Sequence, residues 1–373
     1  MSQKVDVGIA VGTQPPWNRI NTLARFARIL RAHSLWVVDH FDGWFLPELW
    51  TKDFSWLGGS SGPNAYYDYQ VLLGALAPRA GNVQVAVGVT EPIRRHPVLL
   101  AQTFLTLSHM TKRPPILGIG SGEKVNVTQY GLSFERPVAR LAEALEVIKR
   151  SFDGGPVSFA GEFYQLDRAA FELEAGRGGR PEIWIAAHGP KMLELTGRYG
   201  DGWFPTLPMT PEEYRASLDI IFAAAEKAGR SVDRFTPSMQ MFAVLGPDRE
   251  SARRMLSSPP VRYFALIAPA SVWAEQGAKH PLGESFRGLV DFSYRDLTKD
   301  QLVEAMAAVP IDLLESTLVW GTPEGVVAEV RALAEAGLRH VVLAPISGLV
   351  SRRAALFAAR SLPGMIRRLR SSN

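Results

Sequence analysis

The sequence predicts a single (β/α)₈ barrel carrying insertions. Three observations predict it. Short apolar, β-rich runs alternate with longer helical patterns, as parallel strands with crossover helices require. Eight such runs occur, the number that closes a barrel. The length, 373 residues, suits one barrel with insertions. The pattern also allows a doubly wound open sheet.

The runs are, in order, Val5–Val11, Leu35–Val38, Val83–Val89, Ile116–Ile119, Ile183–Ala187, Gly202–Pro205, Met239–Leu245 and His340–Ala344. Leu23, Phe26, Ala27 and Leu30 follow the first run at helical spacing. Pro137 opens a helix with Leu141, Leu145 and Ile148 on one face. In Gly321-Thr322-Pro323-Glu324 a cap residue precedes a proline at the first helical position and an acid in the first turn. Three stretches interrupt the alternation and read as insertions rather than domains: about 41–69, 154–180 and 257–310. The second holds Val157-Ser158-Phe159 and Phe163-Tyr164 around a Gly-Glu turn and predicts a small hairpin.

Composition removes whole classes of chemistry. With no cysteine there is no disulfide, thiolate zinc site, iron–sulfur cluster or thiol nucleophile, which fits a reducing compartment. The seven histidines do not cluster at metal spacing, so no metal is expected. Net charge is +4 with a pI of 9.3, without the basic stripe that nucleic-acid binding demands. The densest cluster, Arg367-Arg368-Leu369-Arg370, reads as a solvated tail. The modest positive field also suits an anionic small molecule. No leader pattern and no membrane-length apolar run is present, so a soluble, cytoplasmic protein without stable membrane insertion is expected.

Candidate chemistry gathers where the runs end, the face on which barrels build active sites. Asp39-His40 closes the second run; an acid beside a histidine can orient it for proton transfer, although the pair could equally be structural. Gly118-Ile119-Gly120-Ser121-Gly122-Glu123 lacks the dinucleotide-binding spacing. Its glycines let backbone approach a bound ring with Glu123 pointing inward, or form a plain tight turn. Ala186-Ala187-His188-Gly189-Pro190 leads into a helix start, where free N–H groups favour phosphate; an ordinary strand-to-helix turn is the other reading. Gly58-Gly59-Ser60-Ser61-Gly62 matches a hydrolase elbow by letters only, lacking the flanking strand and helix. The aromatics of the first insertion, including Phe41, Trp44, Phe45, Trp50, Phe54, Trp56, Tyr66, Tyr67 and Tyr69, suggest an apolar pocket wall or lid, or else the core of that insertion or a subunit interface.

In combination these motifs resemble a family. Asp39-His40, Val87-Gly88-Val89-Thr90-Glu91-Pro92 with Arg95-His96-Pro97, Gly120-Ser121-Gly122-Glu123, Ala186-Ala187-His188-Gly189-Pro190, Gly200-Asp201-Gly202-Trp203 and the Gly321-Thr322-Pro323-Glu324 helix resemble the luciferase-like, coenzyme F420-dependent oxidoreductases, from Val5 to Pro345. Within them, Pro181–Leu193 and His280-Pro281-Leu282-Gly283 are similar to the mycobacterial phthiodiolone ketoreductases. The relatives that oxidise glucose 6-phosphate carry a lysine shortly after the sixth strand. This chain reads Thr206-Leu207-Pro208-Met209 there, which argues against a sugar phosphate.

The resemblance implies a reduced deazaflavin delivering hydride to an apolar, lipid-like ketone, or the reverse. His40 would be the proton donor, with Glu123 and Trp44 beside it. Asp39 and Asn126 would touch coenzyme F420. The Gly88-Val89 bond would be cis and form a bulge behind the ring. Ala186, Ala187, His188, Gly189 and Thr206 would line its phosphate and tail. A homodimer is implied as well. The alternatives are an FMN-dependent monooxygenase on the same barrel, an enzyme like methylene-tetrahydromethanopterin reductase, and a non-catalytic cofactor carrier.

Overall fold

The computed structural model describes residues 3–59, 62–170 and 172–371. Ser60 and Ser61 of the hydrolase-like motif lie outside the described residues. The strands in chain order are β1 (Asp6–Ala10), β2 (Ser34–Val37), β3 (Gln84–Thr90), β4 (Ile116–Ile119), β5 (Val157–Ala160), β6 (Gln165–Ala169), β7 (Glu182–Ile185), β8 (Gly202–Trp203), β9 (Thr236–Leu245), β10 (Val319–Gly321) and β11 (His340–Pro345).

Eight of them form one closed ring of parallel pairs, β1-β2-β3-β4-β7-β8-β9-β11 and back to β1. These are the eight runs picked out by pattern, so a closed (β/α)₈ barrel replaces the open-sheet alternative. β10 pairs only with the end of β9 and was not foreseen; its apolar Val319-Trp320 is too short to carry a period.

Alternation along the strands divides the barrel in two. Residues such as Leu35, Val85, Leu117 and Ile183 face out and pack under the helices in the main core. Trp36, Ala86, Ile116, Trp184, Phe204 and Val342 face in and form a separate cluster that fills the lumen. Trp36 stacks on Phe204 at 4.3 Å between ring centroids and tilts against Trp184 at 5.3 Å. Glycine makes room for these rings. A Cβ on Gly202 would lie 2.7 Å from the Trp184 indole, and one on Gly88 would lie 2.8 Å from Trp36. Below this layer, at the N-terminal ends of the strands, the lumen turns polar. His340 Nε2 meets Ser34 Oγ at 2.8 Å, and Trp184 donates to Glu182.

Two local expectations change. The hairpin's second arm is β6, and Phe163 and Tyr164 belong to its turn. The Glu143 carboxylate accepts the amides of Glu162, Phe163 and Tyr164 and so holds them out of the ladder. Arg367-Arg368-Leu369-Arg370 is not a tail. It is the last turn of the helix Arg352–Arg370, with Leu369 fully buried and its carbonyl accepting the Val5 amide.

Over the C-terminal rim lies a second hydrophobic core. Phe45, Trp50 and Phe54 of the first insertion pack on Tyr263, Phe264 and Phe292 of the third. Phe45 and Tyr263 approach to 5.0 Å. Trp44, Phe45, Trp50 and Phe54 pack in this cap, while Tyr67 and Tyr69 join the main barrel core, so six of the nine aromatics of the stretch serve as core. No helix among the described residues is long and apolar enough to cross a membrane.

Candidate active site

Where β2, β3, β4 and β7 end, their loops converge on one cavity beneath the cap. Asp39, His40, Val89, Gly120, Ser121, Gly122, Glu123, Asn126, Ala186, His188 and Thr206 line it, together with Leu289 and Val290 of the third insertion. The Gly88-Val89 bond is cis, and the β3–β4 register shifts between Val87 and Thr90, so β3 bulges at this point.

Three side chains meet around one oxygen of a fourth. Glu123 Oε2 accepts from Trp44 Nε1 at 3.3 Å and from Asn126 Nδ2 at 3.2 Å, and lies 3.8 Å from His40 Nε2. The His40 contact is too long for a hydrogen bond but suits an ion pair once the imidazole is protonated. His40 Nδ1 lies 3.0 Å from the Asp42 carbonyl oxygen. A carbonyl only accepts, so Nδ1 is the donor at this contact, with Asn126 Nδ2 farther from the same nitrogen at 3.4 Å, and Nε2 is the nitrogen that faces Glu123. Asn126 Oδ1 accepts the amides of Phe41 and Asp42, pinning the His40 loop to the Glu123 loop.

Asp39 is 4% exposed, and one of its oxygens takes Thr90, Arg94 and Arg95 at 2.6, 2.9 and 2.8 Å. Three charge-assisted contacts make a burial that a lone carboxylate could not sustain. Arg94 was missed in the sequence. It also pairs with Glu91, stacks 4.6 Å over Phe41 and lines the cavity. Only its place beside Pro92 in the β3 loop could have marked it. Tyr66, read as one aromatic among many, lies tilted against the His40 ring at 5.1 Å. Burial pushes its hydroxyl above the usual range, which keeps it a neutral donor.

The chain matches the luciferase-like monooxygenase model over residues 3–340. It belongs to the luciferase-like family. A phthiodiolone/phenolphthiodiolone dimycocerosates ketoreductase of Mycobacterium kansasii is 35% identical over 94% of this chain and 96% of its own length. Among solved structures, an F420-dependent secondary alcohol dehydrogenase in complex with an F420-acetone adduct superposes with a TM-score of 0.76 at 21% identity, covering 99% of this chain and all 100% of that one. The coenzyme F420 dependent tetrahydromethanopterin reductase of Methanopyrus kandleri gives 0.72 at 21% identity over 97% and 100%. The protein is thus an oxidoreductase of the luciferase-like family, with a small-molecule substrate.

The luciferase-like site separates the remaining candidates. Ala187 does not line the cavity: it is buried in the main core and its carbonyl accepts from Trp203. Gly88 packs behind, against Trp36 and Phe204. Gly189 caps the helix Pro190–Tyr199 with no side-chain partner; Pro190 has no N–H and the Met192 amide donates to the Gly189 carbonyl, so at most the Lys191 amide of that turn is left for an anion. His188 stands beside that helix start. It keeps solvent access, yet the concave surroundings desolvate it and lower its pKa to about 4, so it is neutral at pH 7. Its Nε2 faces the Thr206 amide at 3.4 Å, which leaves Nδ1–H free to donate. Among the described residues no cluster could hold a metal ion.

Proposed function

We propose that this oxidoreductase uses coenzyme F420 to reduce the carbonyl of an apolar substrate, or to oxidise the corresponding alcohol. The observation that carries the proposal is the meeting of His40, Trp44 and Asn126 at Glu123 Oε2, beside the Gly88-Val89 bulge. The site fits a flat ring bearing an anionic tail. Gly120 presents no side chain toward Val89 and Ala186, where a Cβ would sit 3.3 and 3.5 Å away. The Lys191 amide at the helix start, with His188 and Thr206, supplies donors for a phosphate. Asp39, Val89, Asn126, Ala186, His188, Gly189 and Thr206 would hold the cofactor.

The bound coenzyme would supply or accept the hydride. The side chains move the proton. In reduction, protonated His40 donates from Nε2 to the developing alkoxide; in oxidation, neutral Nε2 takes the hydroxyl proton. Glu123 lies 3.8 Å from Nε2, and Trp44 and Asn126 hold that carboxylate in place. Leu289 and Val290 bring apolar surface to the cavity and support an apolar substrate, as does the name of the Mycobacterium kansasii relative. The chain is read as a homodimer, supported by exposed Ile29, Val71 and Leu99 on three successive outer helices.

A cofactor titration followed by fluorescence tests the reading. Tight binding of F420 and weak binding of FMN is the expected result, followed by turnover of apolar ketones with the reduced coenzyme. Preference for FMN, with oxygen uptake, would replace the reading by that of a monooxygenase.

A further inference from the structure

The third insertion does more than cover the cavity. Leu289 and Val290 line it, and five residues on the same segment reaches the loop that carries His40. There Asp42 Oδ2 accepts from Tyr294 Oη at 2.9 Å, from Arg295 Nη2 at 2.9 Å and Nε at 3.1 Å, and from Gln129 Nε2 at 3.1 Å. The Asp42 side chain is 5% exposed, and Tyr294 is buried. Burial, then the hydrogen bond to Asp42 and the charge of that carboxylate, push the Tyr294 hydroxyl up to about 12, which keeps it a donor. The same Asp42 offers its backbone carbonyl to His40 Nδ1 at 3.0 Å. Lys124, next to Glu123, pairs with Asp296 of the segment at 2.8 Å.

We infer that Asp42 is a positioning residue, a latch through which the cap segment 289–296 sets the tautomer and orientation of His40. The carboxylate is gripped by the cap while the carbonyl of the same residue fixes which imidazole nitrogen holds the proton. Cap placement and availability of a basic Nε2 are therefore coupled. A substrate group resting on Leu289 and Val290 bears on the segment that holds the latch. The role assigned to His40 rests on the function proposed above, whereas the latch itself can be tested without substrate or cofactor.

The experiment is ¹⁵N NMR of histidine-labelled full-length protein, with the His40 signals assigned by their loss in His40→Gln. The wild-type protein should show distinct protonated Nδ1 and unprotonated Nε2 resonances. Tyr294→Phe with Arg295→Gln keeps the buried ring and removes the cap's grip; its two His40 resonances should move toward their average. Asp42→Asn should move them the same way. Arg287→Gln breaks the Arg287–Asp291 pair within the cap and should leave them unchanged. Unaltered resonances in the Tyr294/Arg295 variant overturn the latch, as does an equal change in Arg287→Gln, which would mean general loosening. Failure of turnover assays with the NMR response intact would instead count against the proposed function.

Discussion

His40 Nε2 faces Glu123 Oε2 across 3.8 Å, with both residues partly buried and no other acid of the cavity wall bonded to that imidazole. The carboxylate is already occupied by Trp44 and Asn126. In the function proposed above, that occupancy would make it a fixed acceptor rather than a mobile proton carrier, and would leave the histidine as the group that exchanges the proton.

Replacing His40 by alanine should lower turnover by about 10²–10⁴-fold while cofactor affinity stays within a few-fold. Glu123→Gln should lower turnover less, because it removes the counter-charge but keeps partners for Trp44 and Asn126. Fluorescence titration and single-turnover kinetics separate the two effects. Loss of binding with undiminished turnover of the bound complex would remove His40 from the chemistry.

The eight barrel strands and the Asp39-His40 and Glu123 positions were legible because strand ends are marked by abrupt changes in residue type. The cap was not. Its core joins Phe45 and Phe54 to Tyr263 and Phe264, about two hundred residues away, and no local period encodes that pairing. For the same reason the aromatic stretch could be read as pocket wall. Arg94 was invisible because the partners that bring it to the cavity, Asp39 and Phe41, come from another loop, although Glu91 lies on its own. His280, which drew notice as part of a motif, proves to be packed between Trp273 and Phe286.

His188 should take up a proton when an anion binds beside it. In the free protein its pKa is lowered to about 4 by desolvation, and a neighbouring phosphate raises the pKa of the imidazole. A ligand that raises a pKa binds more tightly as pH falls. The dissociation constant for F420 should therefore decrease from pH 8 toward pH 5.5, and calorimetry in buffers of different ionisation heat should register proton uptake. His188→Gln should flatten both. A pH-independent affinity in the wild-type protein would separate His188 from the anion.

The barrel floor should make the protein acid-sensitive. His33 and His340 lie 5.2 Å apart by ring centroid, and the Nδ1 of each is buried without a partner. Burial lowers His33 to about 4, against the opposing pull of Asp6 and with help from Arg113, Arg370 and Lys4; His340 falls well below its usual value for the same first cause. The unfolded chain protonates these rings near pH 6.5, before the folded one does. Stability is thus fully present above pH 6.5 and declines as pH falls toward 4. Melting temperature should drop across that window, and His340→Gln should show a shallower drop. An equal slope in both proteins would place the acid sensitivity elsewhere.

Two glycine-to-alanine changes should act in opposite directions. A Cβ on Gly118 would sit 2.1 Å from the Val87 carbonyl oxygen, an atom of the neighbouring strand's backbone that cannot rotate away. β3 and β4 would have to separate beside the bulge, and such overpacking costs about 1–3 kcal/mol or more. At Gly74, in the helix Tyr69–Leu76, nothing lies within 4 Å of the new methyl group. Alanine there removes backbone freedom from the unfolded chain and should stabilise by about 0.5–1 kcal/mol. Denaturant midpoints of the two variants measure the contrast. Because Gly118 leads directly into the Gly120–Glu123 loop, Gly118→Ala should also weaken cofactor binding, whereas Gly74→Ala should not. A Gly118→Ala protein with wild-type stability and affinity would show that the close β3–β4 approach is not needed to shape the cavity.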